Sequence, residues 1–450
     1  MRWSIRWWLS AASGALLALA FPPFDLPWPV VPIAIASWFL CTHEVPLRTV
    51  MWRSLGFAMG FYLVLLKWML VVGIDAWILL ALLQSLYFLI VAVVRHRVRV
   101  LLLPSIAIAW VVQDWLRDHA PNTAFGWGQL AFAKIDAPWT FTAQLGGQAL
   151  STAVAAATGV ALGMTFVGIF AQRLIAMGTL ILAIALPYLV PVPDIAPRGT
   201  DRIALVQAGV DHTGLGFLGD RRSVLYRHRD LTMRELRNTD ALAVLWPENA
   251  SDADPFTDTL AANAIRDAAN AANRPILLGA VIDPLDGRKN VALRALPATS
   301  GFEIVYQKQR LVPFGEYLPF RGFISRLTDR VEFLPRDFVP GNDAGDVRFG
   351  GHQFGIVICF EIADEELVRR TLSAGASALI VQTNNATYAG SGQSEQQLRI
   401  SQLRARSLGV PVYVISTNGP TAVINERGEV VERVAEGDTG VILTALKARS

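Results

Sequence analysis

Cysteine occurs only twice in this 450-residue chain, at Cys41 and Cys359. Two are too few for a disulfide framework. Charge is scarce as well. Asp, Glu, Lys and Arg make up 17% of the sequence, against about a quarter in an ordinary soluble protein. The formal net charge is only +3 and no long basic run occurs, which argues against a nucleic-acid partner. Internal repeats and low-complexity tracts are missing too. The scarcity of charge is uneven: positions 1–190 hold 17 of the 77 charged residues, and the last 260 positions hold the other 60. With 53% hydrophobic residues and a positive mean hydropathy, the chain reads as a membrane half followed by a soluble half. The length accommodates two or three domains.

Seven apolar segments occupy the first half, over 4–21, 28–42, 54–73, 76–94, 100–116, 148–170 and 174–190. Most approach the ~20 residues that cross a bilayer as a helix. The first has a long apolar part and is followed by "FPPFDLPWP" rather than by small residues of a cleavage site, so it reads as a retained helix. Arginines mark every second loop: Arg2 and Arg6, then Arg48 and Arg53, then Arg95, Arg97 and Arg99, then Arg173. The loops "PPFDLPW" and "GIDA" carry none. Positive loops face the cytoplasm, so seven crossings place everything after about residue 191 on the far side. Lys67, Asp114 and Arg117 lie near or within the spans, where charge is costly. The stretch "PNTAFGWGQLAFAKI" is too polar to span. Its Phe125, Trp127 and Phe132 suit an interfacial or re-entrant loop bordering a lipid groove.

From residue 202 the pattern changes to strands alternating with helices, as in an α/β domain. "RIALVQAGV", "ALAVLWPENA", "PILLGAVID", "FGIVICFEI", "ALIVQTNN", "VPVYVIST" and "TAVINERGEVV" read as strands. Helices are expected near 220–238, 256–273, 364–374 and 394–408. The domain boundary falls at 195/196, giving a helical domain 1–195 and a catalytic domain 196–450.

Sites in α/β folds are built at strand ends. Glu248 ends "VLWPEN", Cys359 ends "GIVIC", and Lys308 opens "KQRLVPFGEYLPF". A thiol, a carboxylate and an ammonium form a complete set for acyl transfer. Glu248 takes the thiol proton. Cys359 attacks a carbonyl carbon as the thiolate and holds the acyl group. Lys308 stabilises the oxyanion together with the backbone N–H of Phe360. An activated thiol of this kind is expected to be alkylated faster than a model thiol. Cys41, near the cytoplasmic end of the second apolar segment, reads as a packing residue.

The motifs "WPENA", "KQRLVPFGEYLPFR" and "ICFEI" resemble the Glu, Lys and Cys motifs of the nitrilase (carbon–nitrogen hydrolase) superfamily. With the preceding apolar helices, "FGWGQLAFAKID", "LVQAGV" and "QTNNATYAGSGQSEQQLRISQLRARSLGVPVYVISTNGPTAV", the whole chain resembles the apolipoprotein N-acyltransferase family. The resemblance implies a membrane all-α bundle of about seven helices followed by an α/β nitrilase-like αββα sandwich. It implies a multi-pass protein of the bacterial cytoplasmic membrane with its catalytic domain on the outer face. A phospholipid donates an acyl chain to Cys359. The thioester then acylates the α-amino group of the N-terminal diacylglyceryl-cysteine of a lipoprotein. By the same matching Glu248, Lys308 and Cys359 are catalytic, and Glu316 and Glu361 support them, Glu316 by orienting Lys308. Trp127 and Tyr388 are expected on lipid-contacting loops. The chemistry calls for no cofactor and no metal.

The chain departs from the family at three places. Family members often carry a further transmembrane helix after the catalytic domain, whereas the sequence here runs to "GVILTALKARS". The segment "DHTGLGFLGDRR" lacks a tryptophan that some members carry. Thr387 and Tyr388 stand where many have Trp-Phe, which implies a different lipid selectivity. Two other readings compete. A membrane-tethered amidase would share the three residues but release its acyl group to water. A transporter with a soluble binding module would depend on Lys67 and not on Cys359.

Overall fold

The computed structural model describes residues 2–98, 101–120, 124–192, 197–216, 219, 221–324, 326, 334, 336–373 and 375–447. Arg99, the first residues of the 121–135 stretch, part of 211–222, the last three residues and the expected 195/196 boundary lie outside these. The chain divides into two compact units, Met1–Val192 with Ser391–Arg399, and Pro193–Gly390 with Ile400–Ser450.

The first unit is all helical: α1 (Arg2–Ala18), α2 (Val30–Cys41), α3 (Leu47–Leu65), α4 (Ile74–Tyr87), α5 (Leu89–Arg97), α6 (Leu102–His119), α7 (Ala143–Val167) and α8 (Phe170–Leu189). Among the described residues, Ile74–Arg97, Pro138–Val167 and Phe170–Leu189 are long and apolar enough to cross a membrane. These coincide with three of the seven expected spans; the other four fall on shorter or more polar helices. Small residues let the helices touch at backbone distance, as bilayer helices require. A Cβ added at Gly14 of α1 would lie 1.8 Å from the carbonyl oxygen of Phe57 on α3. Gly159 and Gly163, one turn apart on α7, leave room for the side chains of Ile35 and Phe39 of α2.

Two charges inside this unit neutralise each other. Arg117 and Asp114 are buried and joined at 2.5 Å. Arg117 also donates to Gln84 at 3.0 Å and to the carbonyl of Trp127 at 2.8 Å. Lys67 is exposed in a short 3₁₀ turn over Lys67–Val71. Trp127, expected on a lipid-contacting loop, is 2% exposed, and its indole N–H donates to Gln396 at 2.7 Å. Buried partners for both its N–H and its carbonyl draw this residue inside. Phe132 is buried too, while Phe125 keeps partial exposure.

The second unit is a two-sheet sandwich. Its strands are β1 (Pro197–Gln207), β2 (Val244–Leu245), β3 (Ile276–Ile282), β4 (Lys289–Ala295), β5 (Phe302–Gln307), β6 (Asp346–Phe349), β7 (His352–Ile358), β8 (Ala378–Thr383), β9 (Val412–Ser416), β10 (Thr421–Ile424), β11 (Val430–Val434) and β12 (Gly440–Lys447). Its helices are α9 (Ser223–Glu235), α10 (Thr259–Ala272), α11 (Arg321–Ile324), α12 (Glu365–Ser373) and the later part of α13 (Gln393–Leu408). One sheet runs β12-β1-β2-β3-β4-β5 and the other β11-β10-β9-β8-β7-β6.

Period-two alternation decides which side chain faces which layer. Ile203 and Leu205 of β1 join Ile356, Ile358, Ile380 and Ile415 between the sheets. Ala204 and Val206 point the other way, into a core with Leu225, Leu231, Ala264 and Ile265 of α9 and α10. The alanines of α10 let it lie close to the sheet. Its first turn is capped by Asp258, whose carboxylate accepts from the N–H groups of Leu260 and Ala261 at 3.1 Å each; such caps stabilise by about 1 kcal/mol.

Candidate active site

Three chain reversals bring the site together, and each contains a non-glycine residue with left-handed φ. They are Asn249 (φ 54°), Phe314 (φ 65°) and Cys359 (φ 55°). Side chains adopt this region at a cost, of order 1–3 kcal/mol, and such strain clusters at functional sites. At Cys359 the strain turns the chain sharply out of β7 into a 3₁₀ turn over Cys359–Ala363. The thiol thereby stands at the end of a buried strand while Cys359 remains partly exposed. Arg404, fully buried, holds the turn from behind through the carbonyls of Ile362 at 2.9 Å and Ala363 at 2.7 Å.

Glu248 follows β2 through Trp246 and Pro247. Its backbone rests against β3, where Gly279 leaves room: a Cβ there would lie 2.5 Å from the Cα of Glu248. The Gly279→Ala variant is therefore expected to displace the carboxylate. An ångström of misplacement costs about 100-fold in rate. Rate assays should show this loss with little change in KM.

Lys308 lies directly after β5 and is 1% exposed. Its ammonium donates to Glu316 Oε1 at 2.9 Å and Glu248 Oε1 at 3.2 Å. Burial works against its charge, but the carboxylates of Glu248 and Glu316 outweigh that and hold the ammonium well above the usual lysine range. Lys308 is therefore a fixed cation. Glu316 is oriented in turn by the N–H of Val312, which donates to Oε2 at 2.9 Å. The expected contact between Glu316 and Lys308 is thus present.

Burial pushes the Cys359 thiol up to about 12; the Glu248 carboxylate adds to this, and Lys308 and the hydroxyl of Thr383 oppose it. The resting group is a thiol. Burial first, and then the Glu248 carboxylate, disfavour the thiolate, which runs counter to an unusually easily alkylated cysteine. Tyr388 ends a 3₁₀ turn over Ala386–Tyr388, near enough to Cys359 for the thiolate charge to act on its phenol. Burial and the neighbouring cysteine raise its phenol to about 12.

Glu361 is a clamp and is fully buried. Its Oε1 accepts from the N–H of Gln309 at 2.7 Å and of Arg310 at 3.0 Å. Its Oε2 accepts from the N–H of Ile358 at 2.7 Å. The hydroxyl of Tyr306 lies 2.9 Å from both oxygens. Burial pushes this carboxyl up to about 7, against the pull of the backbone N–H donors. The residues on either side of Lys308 are thereby tied to the residue before Cys359. The Glu361→Ala variant orphans these donors. Each unsatisfied buried donor costs about 1–3 kcal/mol, so a marked fall in melting temperature is expected along with lost activity.

The structure gathers Glu248, Lys308, Glu316, Cys359 and Glu361, all singled out in the sequence, into one cluster, and Phe360 follows the thiol in its turn. Sequence reasoning did not find every member. It missed Asn290, whose carboxamide donates to both Glu248 and Glu316. It missed Asn384, whose backbone N–H donates to Glu248 Oε2 at 2.9 Å. It also missed Thr383 and Tyr306. These are ordinary strand residues, and only the sheet register reveals them. A carboxylate, a fixed cation and a protonated thiol gathered from the ends of three strands can perform acyl transfer through a covalent thioester.

The chain matches the family model of the apolipoprotein N-acyltransferase N-terminal domain over residues 13–161. It matches that of the carbon–nitrogen hydrolases over 202–450. It is 32% identical to an apolipoprotein N-acyltransferase of Mycolicibacterium smegmatis, over 94% of this chain and 77% of that relative. Identity to an apolipoprotein N-acyltransferase of Vibrio vulnificus is 27%, over 97% of this chain and 90% of the relative. Among solved structures, an amidase of the nitrilase superfamily from Nesterenkonia is similar at 18% identity and a TM-score of 0.42, covering 56% of this chain and 93% of that one.

Proposed function

The chain belongs to the apolipoprotein N-acyltransferase family and is a membrane acyltransferase acting on lipoproteins; on that premise we propose that a phospholipid supplies the acyl chain and that Cys359 carries it as a thioester. Glu248 takes the proton from the thiol as sulfur attacks the ester carbonyl. The negative oxygen of the tetrahedral intermediate is met by Lys308 and the N–H of Phe360. Collapse breaks the ester C–O bond, and Glu248 returns the proton to the departing lysophospholipid oxygen. In the second half, the free α-amino group of a diacylglyceryl-cysteine attacks the thioester. Its proton passes through Glu248 to the sulfur as the C–S bond breaks.

The observation that carries this reading is Lys308 held between two carboxylates beside a resting thiol. A thiol held protonated needs an adjacent base, and Glu248 is the carboxylate that acts on it most strongly. The helical unit serves the donor. Each CH₂ withdrawn from lipid into water costs about 0.8 kcal/mol, so the site has to work at a bilayer surface. The arginine-marked loops support a catalytic unit outside the cytoplasm, on the outer face of a bacterial inner membrane.

Steady-state kinetics with phospholipid and a diacylated lipopeptide test the reading. Parallel double-reciprocal lines are expected, since the first product leaves before the acceptor binds. Intersecting lines would mean that the acceptor binds before the lysophospholipid leaves, against the two-stage order. Release of free fatty acid at the same rate without lipopeptide would favour the amidase.

A further inference from the structure

Asn290 has no part in these steps, yet it sits inside the polar cluster. It belongs to β4 and is 2% exposed. Its backbone carbonyl accepts the N–H of Lys308 at 2.9 Å, so the two residues are cross-strand partners with neighbouring side chains. Its Nδ2 donates to Glu248 Oε1 at 2.8 Å and to Glu316 Oε1 at 2.9 Å. Lys308 Nζ approaches the same two oxygens. Two donors and two acceptors therefore close a ring. The amide orientation is fixed, because the reversed group would point its carbonyl oxygen at two carboxylates.

We infer that Asn290 is a positioning residue that, with Lys308, saturates Oε1 of Glu248 and leaves Oε2 as the atom that carries the transferred proton. Each carboxylate oxygen offers about two lone-pair sites. Both sites of Oε1 are taken by N–H groups. Oε2 accepts the single N–H of Asn384 among the described residues and keeps one site open. Lys308 alone would leave one site open on each Oε1, and the proton could then settle on either oxygen or on Glu316. The planar carboxamide gives one N–H to each carboxylate and fixes their separation. It does so without adding charge, whereas a second cation in its place would weaken Glu248 as a base.

This inference rests on Glu248 as the base, and the test separates the two. The rate of thioester formation on Cys359 is measured against pH in the full chain, for the unaltered protein, Asn290→Asp, Asn290→Leu and Glu248→Gln. A lost hydrogen bond to a charged group corresponds to a rate loss of about 10- to 150-fold. Both Asn290 variants are expected to show it at neutral pH, with KM for the phospholipid unchanged. The acid limb of each profile is expected to move to higher pH, because the carboxylate loses a donor that favours its charged form. Asn290→Asp, which brings a third carboxylate, should move it further. The Asp variant keeps the side-chain volume, so a change shared by both reports the lost N–H donors and not a cavity. An acid limb that stays in place in both variants, or full activity in Asn290→Asp, overturns the inference. Full activity with an unchanged acid limb in Glu248→Gln instead overturns the base assignment beneath it.

Discussion

The Cys359→Ser variant is expected to lose turnover by about 10⁴-fold or more, the scale seen when a covalent nucleophile is removed. The reason is chemical. Serine fits the same strained position and keeps the fold, so melting should barely change. An alcohol holds its proton more tightly than a thiol. The site already pushes the thiol up to about 12, so it would disfavour an alkoxide still more. In the proposed mechanism Glu248 deprotonates sulfur during attack, and the same carboxylate is a poorer match for the more weakly acidic alcohol. Retained turnover in this variant, with an intact melting curve, would mean that the reaction does not depend on the thiol of residue 359.

The Glu248→Gln variant is expected to separate two effects of one carboxylate. Turnover should fall by about 10²- to 10⁴-fold, the usual contribution of a positioned base. The pH midpoint for alkylation of Cys359 by a small neutral reagent should move down. Burial is the main cause of the raised thiol and remains, but the repulsion from Glu248 disappears while Lys308 still favours the thiolate. A more readily ionised cysteine in a far slower enzyme is the signature. The Lys308→Met variant should move the midpoint up, because Lys308 holds the thiol down. An upward move in Glu248→Gln would contradict the assigned electrostatics.

The parts of this site that were legible in the sequence were those whose residue types are unusual where they stand. A cysteine and a glutamate ending a run such as "FGIVICFEI", and a lysine followed eight residues later by the glutamate of "FGEY", conflict with simple burial. Such conflicts between local pattern and chemistry mark functional positions. Asn290 gave no such signal. In "RKNVALRAL" it looks like a polar residue on an alternating strand, and its meaning depends on β4 lying between β3 and β5. Glu361 was legible as a supporting residue but not as a clamp, because its partners at Tyr306, Gln309 and Arg310 lie more than fifty residues upstream.

The fold shows the same division. The parallel core strands β7, β8 and β9 are nearly continuous apolar runs and were readable. The strands left unassigned were β4, β5, β6 and β12. β5 is only partly buried, and β6 has only four residues. β12 pairs with β1 across most of the catalytic unit, a contact no local pattern announces. The burial of Trp127 was not legible for another reason. Aromatic residues in a polar loop suit a membrane interface, but an indole N–H that finds a buried acceptor suits the interior equally well.

The most direct test of the central claim is intact mass spectrometry of the purified protein after incubation with phospholipid, without acceptor. The expected result is one added acyl mass that hydroxylamine removes, that maps to Cys359, and that a diacylated lipopeptide discharges faster than water does. Lipopeptide acylation proceeding in full while no such adduct forms would contradict a thioester on Cys359.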